Sequence, residues 1–287
     1  MNAKLKMILS MALFGTISLF VRHIPLTSAE VALFRAAIAL LLIVPGKALA
    51  GRPVRLAGLG RDGLLLFLSG AAMGFNWIFL FEAYRYTTVS VATLSYYFAP
   101  VIVMAACPLL FHERMTAKQV LCFIGSTIGL VLVINPGGLA GSDPVRGVLF
   151  GLAAAALYAS VMLLNKGTRR VSGIDRTALQ FAAAAAVLLP YVLLTSGIHL
   201  ERMDAVGWLC LIAVGALHSG LAYVLYFSAL KALPGQETAL LSYIDPLVAV
   251  LISLTVLAEP VTPLQLVGGA LILAFTLANE LGGAARS

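Results

Sequence analysis

Residues 74–119 and 220–265 of this chain carry one pattern twice, at a spacing of 146 positions. Nine pairs are identical in that frame: Gly74/Gly220, Phe81/Phe227, Ala83/Ala229, Leu94/Leu240, Tyr97/Tyr243, Pro100/Pro246, Glu113/Glu259, Thr116/Thr262 and Gln119/Gln265. Glycine, alanine and leucine matches come easily in an apolar chain. Proline, glutamate, glutamine, threonine and tyrosine matches in a single frame do not. Fainter echoes extend the repeat: Arg35 and Gln180 each stand ten residues before a proline, Pro45 and Pro190, and Arg22 and Lys166 both close apolar runs. Such a chain folds as two related halves.

The solvent of those halves follows from composition. Hydrophobic residues make up 61% of the chain and charged residues 11%, where a soluble domain carries about a quarter charged. Ten apolar runs can be read, at 5–22, 28–45, 62–86, 88–111, 116–134, 146–166, 175–195, 204–231, 235–258 and 262–281, and runs of this kind are membrane spans. The expected fold class is all-α: a polytopic membrane protein of ten transmembrane helices in two inverted five-helix repeats. The inversion follows because an odd number of spans turns the second half upside down, and inverted halves can present one central site to either side of a bilayer. Residues 1–135 are expected to form the first repeat, 136–144 the connecting loop and 145–287 the second repeat. The connection is dense in proline and glycine, from Asn135 to Pro144. Lys4 and Lys6 ahead of an apolar run look like a secretory signal. No small-x-small cleavage site precedes Arg22 and nine spans follow, so a retained first helix is expected.

Lysine and arginine exceed the acids to give a net charge of +7, which would suit a nucleic-acid partner if it were clustered. Its placement sets topology instead. With the N-terminus in the cytoplasm, fourteen of the 19 basic residues fall inside; four, Arg22, Arg85, Arg146 and Arg202, fall outside, and Arg35 lies within a span. That is a positive-inside bias; both termini are expected in the cytoplasm, and no nucleic acid is expected to bind. Cys107, Cys122 and Cys210 lie within spans without metal-ligand spacing, so no metal site is expected and the three read as small core residues.

The residues at this point resemble a family. The stretch Leu33-Phe34-Arg35-Ala36-Ala37, Phe81-x-Ala83, Tyr97-x-x-Pro100, Glu113-x-x-Thr116 with its echo Glu259-Pro260-x-Thr262, Tyr223-x-x-Tyr226-Phe227 and Ser242-Tyr243-x-Asp245-Pro246 are similar to the drug/metabolite transporter superfamily, in its ten-helix EamA-type branch. The resemblance covers essentially the whole chain. It implies a carrier of amino acids, other metabolites, nucleotide sugars or drugs. In one respect the chain departs: related four-helix multidrug exporters rely on a glutamate in their first helix, and residues 5–22 contain no acid.

An ionisable side chain at membrane depth costs roughly 2.5–3.5 kcal/mol on insertion scales, so each requires an account. His218 and Asp245 fall near the middle of adjacent antiparallel spans, the eighth and ninth, and are expected at a common level. Asp245 is either a neutral hydrogen-bonded carboxyl or a site for a cationic group or a coupling proton. His218 reads equally as a core residue or a functional one. Arg35, ~10 Å below the outer surface at 1.5 Å per residue, either anchors a substrate carboxylate or pairs with Glu82 at a similar depth. Asp245, His218 and Glu82 are the coupling candidates. Pro100 and Pro246 lack a backbone N–H; they either kink their helices for packing or open the backbone beside a cavity. The Glu113 and Glu259 motifs read first as architecture, with Thr116 and Thr262 as helix N-caps.

Aromatic residues crowd the third and fourth spans. Trp77, Tyr96 and Tyr97, with Tyr223 and Tyr243 by repeat, lie deep, and Asn76, Gln180 and Ser242 add neutral hydrogen-bonding groups. Together with Arg35, His218 and Asp245 they form the expected solute site, in a cavity bounded by the second, third, fourth, seventh, eighth and ninth spans. Pockets of aromatics with a few polar groups suit compact, partly apolar solutes. The leading reading is a secondary transporter, an exporter or exchanger working by alternating access on an amino acid or related compound, in the inner membrane if bacterial. A lipid or lipid-linked sugar flippase and a multidrug exporter are the alternatives. No phosphate-binding loop is present, so neither ATP hydrolysis nor any cofactor is expected. An enzyme is not expected, because His218 and Ser219, adjacent on one helix, project about 100° apart. The expected partners are a small-molecule solute and the lipid bilayer, with proton coupling as an open expectation.

Overall fold

The structure, a computed structural model, describes residues 2–54, 59–111, 116–134, 140–168, 171, 173–230, 232–233, 238 and 241–284. Helices account for all regular structure among them. Seven of these, counted through short breaks, are long and apolar enough to cross a membrane, and three shorter apolar helices bring the number to ten. This is an integral membrane protein.

The first span is two pieces, α1 (Ala3–Gly15) and α2 (Ile17–Val21), divided at Thr16. The second is α3 (Ser28–Leu49) and the third α4 (Gly60–Tyr86). The fourth is again two pieces, α5 (Val89–Tyr96) and α6 (Ala99–Phe111), and the fifth is α7 (Ala117–Val133). In the second half α8 (Pro144–Gly167) and α9 (Gly173–Thr195) are the sixth and seventh spans. The eighth joins α10 (Ala205–Ala213) to α11 (Ala222–Leu230) through a π-helical stretch, Val214–Leu221. The ninth contains α12 (Ile244–Thr255) and the tenth is α13 (Pro263–Ala284). The second span passes through Pro45 and continues to Leu49, beyond its expected end. A proline inside a membrane helix removes one backbone bond without ending the helix.

The repeated Thr-x-x-Gln explains itself locally. In both copies the threonine oxygen accepts from the glutamine N–H, and the glutamine oxygen accepts from the threonine N–H: Thr116 with Gln119, and Thr262 with Gln265. Each is a reciprocal capping box that starts a helix and satisfies two otherwise orphaned donors. Thr27 and Glu30 do the same at the start of α3. Glu113 and Leu240, members of two of the identical pairs, lie outside the described residues, as does the connection 135–139.

The halves interleave. The third span packs on the sixth and seventh, and the eighth packs on the first and second; the fourth meets the sixth as the ninth meets the first. The second and seventh, fourth and ninth, and fifth and tenth spans pair with each other. Exchanging each span for the one five later maps these contacts onto themselves. Close approach is built in where equivalent helices meet: a Cβ on Gly129 would fall 2.6 Å from the carbonyl oxygen of Gly268, and one on Gly268 2.5 Å from that of Gly129. In lipid, where apolar burial gives little advantage, such backbone contact holds helices together. Leu41, Leu121, Leu193, Leu209 and Leu251 face outwards on the surface left for lipid.

A candidate solute site where broken helices meet

Four spans are irregular midway: the first at Thr16, the fourth at Tyr97 and Phe98, the eighth through its π-helix and the ninth at Tyr243. Pro100 stands second in α6 and Pro246 third in α12, positions where a missing N–H costs no helical bond. Irregular backbone at membrane depth is tolerated where protein or water covers it.

The fourth and ninth spans are joined across the halves by one short bond. The Tyr97 hydroxyl donates to Asp245 Oδ2 at 2.6 Å. Asp245 lies in the first turn of α12, where the helix dipole favours a carboxylate. Tyr243, its buried neighbour at the N-cap position, and Ser242 lie just before that helix.

Arg35 is 4% exposed and faces this junction from α3. Its Nε donates to Ser219 Oγ at 2.6 Å, and its guanidinium stacks 4.4 Å from the Trp77 ring centroid and 5.8 Å from that of Phe81. Asp245, Tyr84, Tyr96 and Tyr223 are within its electrostatic reach. Among the described residues it forms no ion pair. Of the two readings of Arg35, the pairing with Glu82 is not the one observed: Glu82 lies 3.9 Å from Arg85, one turn along its own helix, and Arg85 also donates to the Leu26 carbonyl at 2.6 Å. Both sit at the end of α4, where the rim of the bundle gives them each other and solvent.

His218 is fully buried, and its ring is engaged away from Asp245. Nδ1 lies 3.2 Å from the Ala213 carbonyl, Nε2 lies 3.0 Å from Thr16 Oγ1, and Phe20 packs edge-on at 4.9 Å. The Thr16 hydroxyl donates to the Leu13 carbonyl at 2.8 Å, which holds its oxygen beside the imidazole. The π-helix sets this geometry by turning His218 towards the first span and Ser219 towards the second.

Asn76 and Gln180 are buried cross-links. The Asn76 amide donates to the Ala154 carbonyl at 2.6 Å, and the Gln180 amide donates to Ser69 Oγ at 2.7 Å and Asn165 Oδ1 at 2.9 Å. The aromatics form two groups. Tyr223 packs edge-on against Phe14 and Phe181, and Phe181 against Trp77; Tyr96 stacks on Tyr158 and meets Tyr97 edge-on. Sequence reasoning missed Thr16 and Tyr158, and weighed Ser219 as the neighbour of His218. Single small polar side chains give no periodic signal, and only the fold shows whom they face. Cys122 and Cys210 are buried free thiols; the side chain of Cys107 lies outside the described residues.

A cavity of about 730 Å³ opens on the face that carries the loops after the first, third, fifth and ninth spans. Val21, Arg22, Thr87, Thr88, Gly141, Glu259 and Pro260 line it, and Phe81 and Tyr84 form its inner end. The Arg35 guanidinium lies 5.8 Å from the ring of Phe81, one of the lining residues.

Two inverted bundles meeting at broken helices around a buried arginine and a carboxylate are the architecture of a membrane carrier. The EamA-like transporter family model matches residues 2–135 and 145–279, and the chain belongs to that family. It is 31% identical to an uncharacterized transporter of Archaeoglobus fulgidus, over 94% of this chain and 93% of the other. It is 28% identical to the uncharacterized transporter YxxF of Bacillus subtilis over 88% and 80% of the two chains, and 31% identical to protein PecM of Dickeya dadantii over 71% and 69%. A solved crystal structure superimposes with a TM-score of 0.63 over 99% of both chains at 19% identity, which shows a common fold.

Proposed function

We propose that this transporter is a secondary carrier that moves an amino acid or a related small metabolite by alternating access, with the solute held between Arg35 and Asp245. The observation that carries the reading is Arg35: a buried guanidinium that forms no ion pair among the described residues, its planar fork stacked on Trp77 and Asp245 within its electrostatic reach. Such a fork matches a carboxylate in two-point geometry. Asp245, tied to the other half through Tyr97, supplies the opposite charge for an ammonium group. Tyr96, Tyr223 and Trp77 give the apolar walls, and Tyr243 and Ser242 border the carboxylate.

In this reading residues 1–135 and 145–287 are the two inverted units, joined by 136–144. They rock against each other about the central site, and solute and coupling chemistry reside in side chains with no cofactor and no catalysis. Asp245 carries proton coupling, with His218, held apart from it by Thr16 and the Ala213 carbonyl, in a lesser role. If bacterial, the protein sits in the inner membrane; with both termini in the cytoplasm, the 730 Å³ cavity faces outward.

The test is a metabolite screen on purified protein, read as ligand-dependent thermal stabilisation and followed by counterflow in proteoliposomes. Amino acids should raise the melting temperature of the parent by several degrees, and Arg35→Gln should abolish the shift. Stabilisation by lipid-linked sugars or lipids alone, or an undiminished amino-acid shift in Arg35→Gln, would overturn the assignment.

A further inference from the structure

We propose that Glu259 is the latch of the mouth lined by Arg22, Thr88 and Pro260, holding that end of the solute path shut by tying three half-helices together. The proposal rests on the alternating-access reading above and names the device that closes one of its two doors.

One carboxylate takes donors from three places. Arg22, at the end of α2, pairs with Oε1 through Nη2. The Val89 N–H, the first of α5, donates to Oε2 at 2.7 Å, and Ser253 Oγ on α12 donates to the same oxygen at 2.6 Å. The Glu259 side chain is 10% exposed and that of Arg22 33%, so the pair is shielded from solvent on one side and reachable from the mouth on the other. Bonds of this charge-assisted kind are stronger than neutral ones.

The three segments so tied are those that a mid-span break separates from the rest of their helix. α2 follows the break at Thr16, α5 ends at the break at Tyr97, and α12 begins after the break at Tyr243. Each can therefore swing about its break without dragging the opposite end of its span. Hinges are places where a few residues absorb the backbone change, and here they sit at the level of Tyr97 and Asp245. With the latch made, α2 and α5 of the first half cannot leave α12 of the second.

The backbone carries a second sign. Ala258, immediately before Glu259, has φ of 49°, the only positive value at a non-glycine residue among those described. An L-residue held there is strained and persists only where its surroundings fix it. The twist turns the chain back so that the Glu259 N–H reaches the Ser253 carbonyl at 2.9 Å and the side chain points into the rim. The mouth is thus closed by a contact held against backbone strain, which favours release once the ion pair is broken.

Distance measurements by pulsed electron paramagnetic resonance test this without any solute. Spin labels go at His23 and Thr255, both exposed, in full-length protein in lipid nanodiscs, with the three native cysteines replaced. Glu259→Gln and Arg22→Gln should each raise the long-distance population at least five-fold over the parent. Ala258→Gly relieves the strain and keeps every latch contact, so it should leave the short distance dominant. Distributions for Glu259→Gln and Arg22→Gln that superimpose on the parent's overturn the latch and leave the carrier reading untouched. If Glu259→Gln does not fold, Arg22→Gln decides alone, since it leaves Val89 and Ser253 on the carboxylate. Failure of every amino acid in the stabilisation screen, with the distances shifted, overturns the solute assignment and leaves the latch.

Discussion

Asp245 receives one hydrogen bond in the described structure, from a tyrosine on the opposite half, and an ionisable group at this depth is costly unless it is used. Asp245→Asn keeps the shape and the acceptor for Tyr97 but removes the titrating proton. Transport by this variant should fall at least ten-fold or lose its pH dependence, while the melting temperature moves by no more than a few degrees; flux into proteoliposomes across a pH series reads both. His218→Gln should act more mildly in the same direction, because Thr16 and the Ala213 carbonyl hold that ring apart from the carboxylate. Normal flux at every pH in Asp245→Asn would make the aspartate a packing group. Depth along a span is readable from residue number, which is why Arg35, His218 and Asp245 stand out in the sequence. Which of them touch is not readable. Arg35 faces Ser219 and Trp77 rather than Glu82 because helix rotation, not depth, decides the neighbour.

At the level of helices, the paired capping boxes and the paired prolines account for much of the repeat. The remaining weight falls on close packing, and the fifth and tenth spans show it most plainly. Gly129→Leu would thrust a side chain into the Gly268 backbone, where even a Cβ lies 2.6 Å from a carbonyl oxygen. Overpacking of this kind costs about 1–3 kcal/mol, and the variant should melt several degrees lower with its solute-induced stabilisation retained, since these spans lie away from Arg35 and Asp245. Loss of solute response at unchanged stability would show that this pair belongs to the transport path. The mid-span break at Thr16 and the π-helix at Val214–Leu221 were not legible beforehand. Neither contains proline, and a π-turn is set by what the widened ring must reach.

For the molecule as a whole, interleaved contacts mean that neither half buries its own faces: the third span lies on the sixth and seventh, and the eighth on the first and second. The halves are one folding body, although the sequence repeats at a single offset. Its orientation in the membrane is a separate matter, argued from the distribution of lysine and arginine. Reporter fusions after Gly141, beside the cavity, should read external and fusions after Ser287 internal. Both on one side would overturn an odd number of spans per half, and the reverse pattern would place the Glu259 mouth towards the cytoplasm.

Taken alone, the sequence determined the membrane as solvent, ten spans, nine of them to within a few residues of the helices observed while the start of the ninth falls among residues outside those described, the two-fold repeat and the helix starts at Thr116 and Thr262. These follow from local chemistry: apolar length, an offset of identical residues, and a side chain that caps its own helix. The tertiary structure alone decided that Tyr97 meets Asp245, that Arg35 faces Ser219 and Trp77, that Glu82 turns to Arg85, and that Glu259 gathers Arg22, Val89 and Ser253 at one rim. Those depend on how each helix is rotated about its axis and where it is broken. Rotation is fixed by packing among residues far apart in the chain, which no local pattern records.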